Sequence, residues 1–145
     1  MTVTFPYLQR ATAAIALAAT ISGPAFADPV GLWRSSDGGT TRIAPCGEAL
    51  CGYVASINPP MDPATGRPRT DKNNLDASKR SRPLIGVPVL IGMRPDGSGR
   101  WTGQLYDIGR GQVFTGRLTE INQSTVRVEG CMLGICGGEN MTRVK

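Results

Sequence analysis

The 145-residue sequence contains no histidine, and only 6 % of its residues are aromatic. Histidine supplies the base of Ser/His and Cys/His catalytic pairs and the imidazole of many metal sites. Its absence excludes catalytic pairs and metal sites of that kind. Charged residues make up only 19 % of the chain and apolar residues 40 %. This balance is typical of one compact domain, and not of a disordered chain or of repeated membrane spans.

Residues 1–27 are predicted to be a cleaved signal peptide. Arg10 provides an early positive charge, residues 11–21 form a short apolar run, and Ala25-Phe26-Ala27 fits a small-x-small cleavage site. The apolar run is too short to cross a membrane, which takes about 20 residues. We therefore expect a periplasmic or secreted protein with no membrane span, whose single β-barrel domain covers residues 28–145.

The four cysteines form two pairs of identical spacing, Cys46-x4-Cys51 and Cys131-x4-Cys136. An exported protein meets an oxidising environment, which favours disulfides. Four cysteines allow three pairings. Two local bridges are favoured, because each pair brackets a turn-like segment and opposed residues at a hairpin neck have Cα atoms about 5 Å apart. Zinc held by four thiolates is the alternative, against which stand the wide spacing and the compartment.

The pattern after residue 27 is that of β-strands. Polar and apolar residues alternate, glycine and proline interrupt them at short intervals, and no segment has a convincing helical period. Turn signals such as Pro95-Asp96-Gly97 separate the segments. Eight strands are predicted: Gly31–Ser35, Thr41–Cys46, Cys51–Ile57, Leu84–Met93, Arg100–Tyr106, Gln112–Leu118, Thr125–Cys131 and Gly138–Arg143.

Eight sequential antiparallel strands leave two exposed edges unless the sheet closes on itself. The predicted fold is therefore all-β, a small antiparallel up-and-down eight-stranded barrel with room for side chains or one small ligand. Pro88 does not suit a central strand, so residues 84–93 are expected to contain a bulge or to divide in two. Closure needs bends, which suits the glycines inside the predicted strands: Gly86, Gly92, Gly103 and Gly116.

Residues 58–83 are the one long interruption, a Pro-rich and basic loop. They contain five prolines and six basic against three acidic residues, which accounts for +3 of the +4 net charge of residues 28–145. A long loop without regular structure is often functional. This loop is expected either to lie solvated across the barrel mouth or to dock on anionic lipid, glycan or protein.

Nucleic acid is not an expected partner, because the aromatic residues are not interleaved with the basic run. No cofactor or metal is predicted either. Asp71, Asn74 and Asp76 offer oxygen ligands, but their spacing matches no EF-hand loop. Two carboxylates in one loop would suit glycoside hydrolysis only at a defined separation, and most aspartates in Pro-rich loops form turns.

Five short motifs follow one another along the chain: Gly31-Leu32-Trp33, Cys46-Gly47-x3-Cys51-Gly52, Asp71-x2-Asn74-x-Asp76, Arg80-x-Arg82-Pro83-Leu84-Ile85-Gly86 and Trp101-x-Gly103-x2-Tyr106-Asp107. Together they resemble the bacterial exported family called Domain of Unknown Function 2147, over essentially all of residues 28–145. The resemblance implies a small envelope or secreted domain with no assigned reaction. The chain departs from that family at Met141-Thr142-Arg143, where Trp-x-Arg is usual.

A second resemblance concerns the two ends of the barrel. Gly31-Leu32-Trp33 begins the first strand and Arg143 lies on the last. This pair is similar to lipocalin-like (calycin) barrels, in which a late arginine packs over the tryptophan of a Gly-x-Trp motif. The resemblance implies a structural role for Trp33 and Arg143.

Three classes of function follow. The first is a carrier or sensor that holds a small amphipathic or apolar molecule, with loop 58–83 as lid or partner surface. The second is an interaction module that docks on envelope components through that loop. The third is a hydrolase, but no nucleophile and base are readable, so we expect a non-enzyme. The predicted ligand or partner surface is Arg67, Arg69, Asp71, Asn74, Asp76, Arg80, Arg82, Tyr106 and Asp107.

Overall fold

The computed structural model describes residues 28–145, so the predicted signal peptide lies outside the described residues. Eight strands follow one another: β1 Gly31–Arg34, β2 Thr40–Cys46, β3 Ala49–Ser56, β4 Pro88–Pro95, β5 Arg100–Asp107, β6 Gln112–Asn122, β7 Thr125–Met132 and β8 Ile135–Arg143. Each strand pairs with the next and β8 pairs with β1, all antiparallel, which closes the barrel. The predicted all-β up-and-down barrel is confirmed. Within residues 28–145, no helix has the length and hydrophobicity to cross a membrane.

The two ends of the barrel differ. The β1–β2, β3–β4, β5–β6 and β7–β8 connections lie at one end, which we call the open end, and the other three connections lie at the closed end. The β1–β8 ladder has only two pairs, Trp33 with Arg143 and Arg34 with Thr142. The half of β8 nearer Ile135 therefore extends past the end of β1, and the barrel is less completely closed there.

Apolar side chains fill the interior towards the closed end. Side chains alternate between the two faces of a strand, and inward-facing residues of β1, β2, β4, β6, β7 and β8 form this core. Trp33, Met93 and Leu118 are fully buried at its centre. The remaining buried members are Ile43, Leu90, Val126, Val128 and Met141.

Strand β4 begins at Pro88 and not at Leu84, so the first part of the predicted strand 84–93 is wrong. Residues 84–87 form a turn instead, in which the Val87 amide donates to the Leu84 carbonyl at 3.1 Å and Gly86 has a φ of +87°. The segment is interrupted at Pro88 as expected, but the part before Pro88 is a turn and not a second strand. A proline at the first position of a strand leaves the ladder intact.

Both predicted disulfides are present, Cys46–Cys51 and Cys131–Cys136, with Cα atoms 5.7 and 4.0 Å apart. Each hairpin turns through only two residues, 47–48 and 133–134. The second bridge joins directly opposed residues. The first is diagonal, because Cys46 pairs with Ala49 in the ladder. The two bridges thus fasten opposite ends of the barrel.

Candidate functional site

Loop 58–83 folds back against the barrel and does not extend freely into solvent. Two isolated β-bridges, Met61 with Pro68 and Thr70 with Pro83, divide it into two smaller loops. Its single 3-10 turn, Ala77–Lys79, is capped by Asp76, whose carboxylate accepts from the Ser78 amide at 3.0 Å. An aspartate in this position satisfies an amide that the short turn leaves without a partner.

Tyr106 is the residue of the barrel on which this loop closes. Its neighbour Leu105 is paired with Phe114 and packs towards the core. Alternation along β5 therefore places Tyr106 on the outer face. Its side chain is nevertheless buried, in a second apolar cluster with Val54, Leu84 and Val87. The loop covers what would otherwise be an exposed tyrosine.

A hydrogen-bonded triad joins Tyr106 to two buried loop residues. The Tyr106 hydroxyl donates to Asp71 Oδ1 at 2.6 Å, and the Asn74 amide donates to Asp71 Oδ2 and to Tyr106 Oη, each at 2.8 Å. Asp71 is only 1 % exposed. A buried carboxylate is costly unless it is paired and hydrogen-bonded, and here both of its oxygens have donors.

Arg82 supplies the balancing charge. Its Nε and Nη2 lie 2.9 and 2.8 Å from Asp71 Oδ2, and its guanidinium lies 5.7 Å from the centre of the Tyr106 ring. Arg80 is exposed but donates through Nε to the Asn74 carbonyl at 2.8 Å. The Asp71 carboxylate is therefore neutralised inside the loop.

The pKa values of the triad follow from these contacts. Burial disfavours ionisation of Asp71, but hydrogen bonds from Tyr106, Asn74 and Arg82 together with the Arg82 charge outweigh it and lower the pKa of Asp71. Burial and the neighbouring Asp71 carboxylate raise the pKa of Tyr106 to about 12. At neutral pH the pair is thus a carboxylate accepting from a neutral phenol.

Gly111, in the β5–β6 turn, allows the loop to approach this closely. The Leu75 amide donates to the Gly111 carbonyl at 3.0 Å, and the Asn73 side chain donates to the Gly109 carbonyl at 3.0 Å. Gly111 has a φ of +68°, and a Cβ there would overlap the Asn73 carbonyl. Only glycine adopts this φ without strain and also leaves room for the Asn73 carbonyl.

The other predicted surface residues lie apart from the triad. Arg67 is exposed in the loop and Arg69 is half-buried at its inner side. Asp107 accepts from the Arg110 amide at 3.0 Å and lies 3.8 Å from the Arg110 Nε, which shapes the β5–β6 turn. Within residues 28–145 no group of three His, Cys, Asp or Glu side chains could hold a metal ion.

A cleft of about 690 Å³ lies at the open end, between strands β5 to β8. Apolar side chains line it: Leu105, Phe114, Met132, Leu133 and Ile135. The paired glycines Gly130 and Gly137 form part of its wall and leave space where side chains would otherwise stand. Asp107 and Arg110 are its charged residues, and the Arg110 guanidinium lies 5.6 Å from the centre of the Phe114 ring.

Of the residues that line this cleft, only Asp107 belongs to the ligand or partner surface predicted from the sequence. The signal that could have found it is the apolar turn Met132-Leu133-Gly134-Ile135 together with glycines at inward positions of β7 and β8. Gly130 faces inward, because a Cβ there would contact Leu105 and Phe114, and Gly137, its partner, opens on free space.

A closed, eight-stranded, antiparallel up-and-down barrel is a lipocalin-like fold. The chain is similar in structure to "Protein HP1028 from the human pathogen Helicobacter pylori", described as belonging to the lipocalin family. The TM-score is 0.66 at 15 % sequence identity, over 81 % of this chain and 84 % of that one. No curated protein matches the chain.

The family model described as "Uncharacterized protein conserved in bacteria (DUF2147)" matches residues 31–143, and the chain belongs to this family. Both resemblances predicted from the sequence are thereby confirmed, the family and the lipocalin-like fold.

Proposed function

We propose that this protein binds one small amphipathic or apolar molecule in the cleft at the open end of the barrel, without catalysing a reaction. The observation that carries the proposal is the cleft itself: apolar walls around a space of about 690 Å³. Binding sites for small molecules are typically concave, mostly apolar and of this size, with few polar groups.

The wall explains why the space exists. Leu105 and Phe114 form an apolar floor on β5 and β6, while Gly130 and Gly137 on β7 and β8 contribute no side chains opposite them. A Cβ at Gly137 would have no neighbour within 4 Å. An apolar ligand group placed there would gain contacts that the protein itself does not supply.

The charged residues of the cleft favour a ligand with a polar end. Arg110 lies beside the Phe114 ring at the rim, so a ligand could place its apolar part on the ring and its polar end against the guanidinium. Among the residues that line the cleft there is no nucleophile paired with a base. The geometry therefore supports binding rather than catalysis.

Export to an oxidising compartment is part of the proposal. Two disulfides fasten the barrel at opposite ends, and such bonds persist in periplasmic and secreted proteins. The predicted signal peptide at residues 1–27 would place the protein there. Mass measurement of the protein purified from its own cell envelope would show whether the chain begins at Asp28.

Gly137→Leu tests the ligand site, because the new side chain would fill the cleft without forcing the backbone. Thr142→Leu is the matched control, since Thr142 is exposed on the same strand one residue after the inward-facing Met141. The probe is 8-anilinonaphthalene-1-sulfonate, an amphipathic anion whose fluorescence rises on binding. We expect Gly137→Leu to weaken probe binding at least about tenfold and Thr142→Leu to leave it unchanged.

Native mass spectrometry of the same proteins, purified from their own envelope, provides a second readout. The wild type and Thr142→Leu should retain a small molecule that Gly137→Leu lacks. If Gly137→Leu is folded, as judged by near-UV circular dichroism, and still binds the probe like the wild type, the cleft is not the binding site.

A further inference from the structure

The tip of the β7–β8 hairpin exposes three large apolar side chains to solvent. Met132 is 53 %, Leu133 96 % and Ile135 79 % exposed. These residues contribute little to the core, so the fold does not require them to be apolar. Large exposed apolar groups that occur together mark an interaction surface more often than a structural need.

The backbone at this tip is held in a specific shape. Leu133 has a φ of +51°, a left-handed conformation that residues other than Gly, Asn and Asp rarely adopt. The Cys131–Cys136 disulfide joins the strands directly behind the turn. A leucine is thus presented at the extreme of a rigid, two-residue turn where asparagine would suit the backbone better.

Exposed apolar residues gather at the open end of the barrel. Of the nine large hydrophobic side chains exposed within residues 28–145, six lie in the β3–β4 connection or the β7–β8 hairpin tip: Met61, Leu75, Ile85, Met132, Leu133 and Ile135. Ile121 is the one beside a closed-end turn in the same range. Exposed apolar side chains are therefore concentrated at the open end.

The same end carries the positive charge. Loop 58–83 has six basic and three acidic residues, and hydrogen bonds from Asn73 and Leu75 join it to the β5–β6 turn. Arg110 in that turn lines the same cleft as Leu133, with its Nε 3.8 Å from the Asp107 carboxylate. Within the loop, Arg82 is committed to Asp71, but Arg67 and Arg80 have exposed side chains.

We propose that the open end of the barrel docks on an anionic lipid bilayer, with Leu133 and Ile135 inserted at the boundary of head groups and acyl chains. Apolar residues flanked by basic ones are the pattern by which proteins bind the surface of anionic membranes. A protein partner would explain the apolar tip but does not by itself call for the net positive charge of loop 58–83 at the same end of the barrel. The proposal does not rest on the ligand site, although it turns the cleft towards the lipid.

Flotation with lipid vesicles tests the docking. The wild type should float with vesicles of equal parts phosphatidylglycerol and phosphatidylcholine, should not float with phosphatidylcholine alone, and should release at high salt because ions screen the basic residues. Leu133→Asn removes the apolar side chain and introduces a residue that readily adopts the φ of this turn. It should lower the fraction of protein bound to the anionic vesicles at least about tenfold. Ile121→Asn, an equal change at the closed end, should have no effect.

Fluorescence of a new tryptophan checks the depth of insertion. Leu133→Trp should show a blue-shifted emission on anionic vesicles and quenching by brominated lipids, whereas Ile121→Trp should show neither. Gly137→Leu should float like the wild type even where it loses the small-molecule probe, so the two proposals can fail separately. If the wild type does not float with vesicles of either composition, or if Leu133→Asn floats as well as the wild type, the membrane proposal is overturned.

Discussion

The guanidinium of Arg143 lies 4.2 Å from the centre of the Trp33 ring, and the two residues are direct partners in the ladder that closes the barrel. Arg143 also donates to the carbonyls of Val30 and Gln123, at 2.9 and 2.8 Å. The Trp33 indole donates to the Pro29 carbonyl at 2.7 Å. One arginine thus ties the first strand, the segment before it and the β6–β7 turn together over a buried indole.

Substitution of either residue should destabilise the barrel. Trp33→Phe leaves a cavity and an unpaired Pro29 carbonyl, and should lower the free energy of unfolding by about 2 kcal/mol. Arg143→Lys keeps the charge but loses the planar stack and the forked donors, and should cost about 1 kcal/mol. Urea denaturation measures both. Arg42→Lys, at an exposed position of β2, is the control, and equal stability of all three variants and the wild type would refute a structural role for the pair.

Tyr106→Phe should loosen loop 58–83 from the barrel. The substitution removes the 2.6 Å hydrogen bond to Asp71 and leaves one oxygen of a buried carboxylate without its donor. A loss of about 1–3 kcal/mol in unfolding free energy is expected. Tyr53→Phe removes the same hydroxyl from a side chain that is 39 % exposed, and its effect should stay within about 0.5 kcal/mol. A Tyr106→Phe protein as stable as Tyr53→Phe would show that the triad does not hold the loop.

Acid should destabilise the protein partly through Asp71. Its pKa is lower in the folded state than the ordinary value of about 3.9, because the hydrogen bonds and charge around it outweigh burial. The ionised form therefore stabilises the fold above the unfolded pKa, and this contribution is lost as the pH falls through the folded pKa. In urea denaturation from pH 7 to pH 2, Asp71→Asn should start less stable than the wild type and decline less steeply.

Asp76→Asn is the comparison at an exposed aspartate, whose pKa is also lowered, by hydrogen bonds from Ser78 and by the Lys79 charge. Asp76 has about half of its side chain exposed, and asparagine can still cap the 3-10 turn. Its stability profile should follow the wild type more closely than that of Asp71→Asn. If the free energy of unfolding falls equally steeply with pH in the wild type and in Asp71→Asn, another group causes the loss of stability in acid.

The fold was predictable from the sequence because its evidence is local. Polar and apolar residues alternate along β5 and β7, and turn signals follow at short intervals, which indicates short antiparallel strands. Such a sheet has two edges that must be covered, and closure into a barrel removes them. Residues 84–87 were assigned wrongly, because their apolar character resembles that of a strand. They are apolar because Leu84 and Val87 pack beneath the loop beside Tyr106, which is a tertiary contact.

The candidate sites were only partly predictable. The sequence grouped Asp71, Asn74 and Tyr106 as surface residues, but their burial depends on the loop folding back over β5, which no local pattern reports. The cleft escaped prediction for a different reason. Gly130 and Gly137 matter through the space they leave, and that is readable only when the register of β7 and β8 shows that they face each other and point inward.

The docking of loop 58–83 should depend on the missing side chain of Gly111. Gly111 and Gly66 have nearly the same φ, +68° and +67°, so alanine is strained by about 1 kcal/mol at either position. A Cβ at Gly66 meets open space, whereas a Cβ at Gly111 would overlap the Asn73 carbonyl. Gly111→Ala should therefore lower the free energy of unfolding by about 2–4 kcal/mol, against about 1 kcal/mol for Gly66→Ala. Trypsin should also cleave the Arg- and Lys-rich loop faster in Gly111→Ala, because the displaced loop exposes its backbone. Equal losses of stability and equal cleavage rates in the two variants would mean that the close approach at Gly111 does not hold the loop in place.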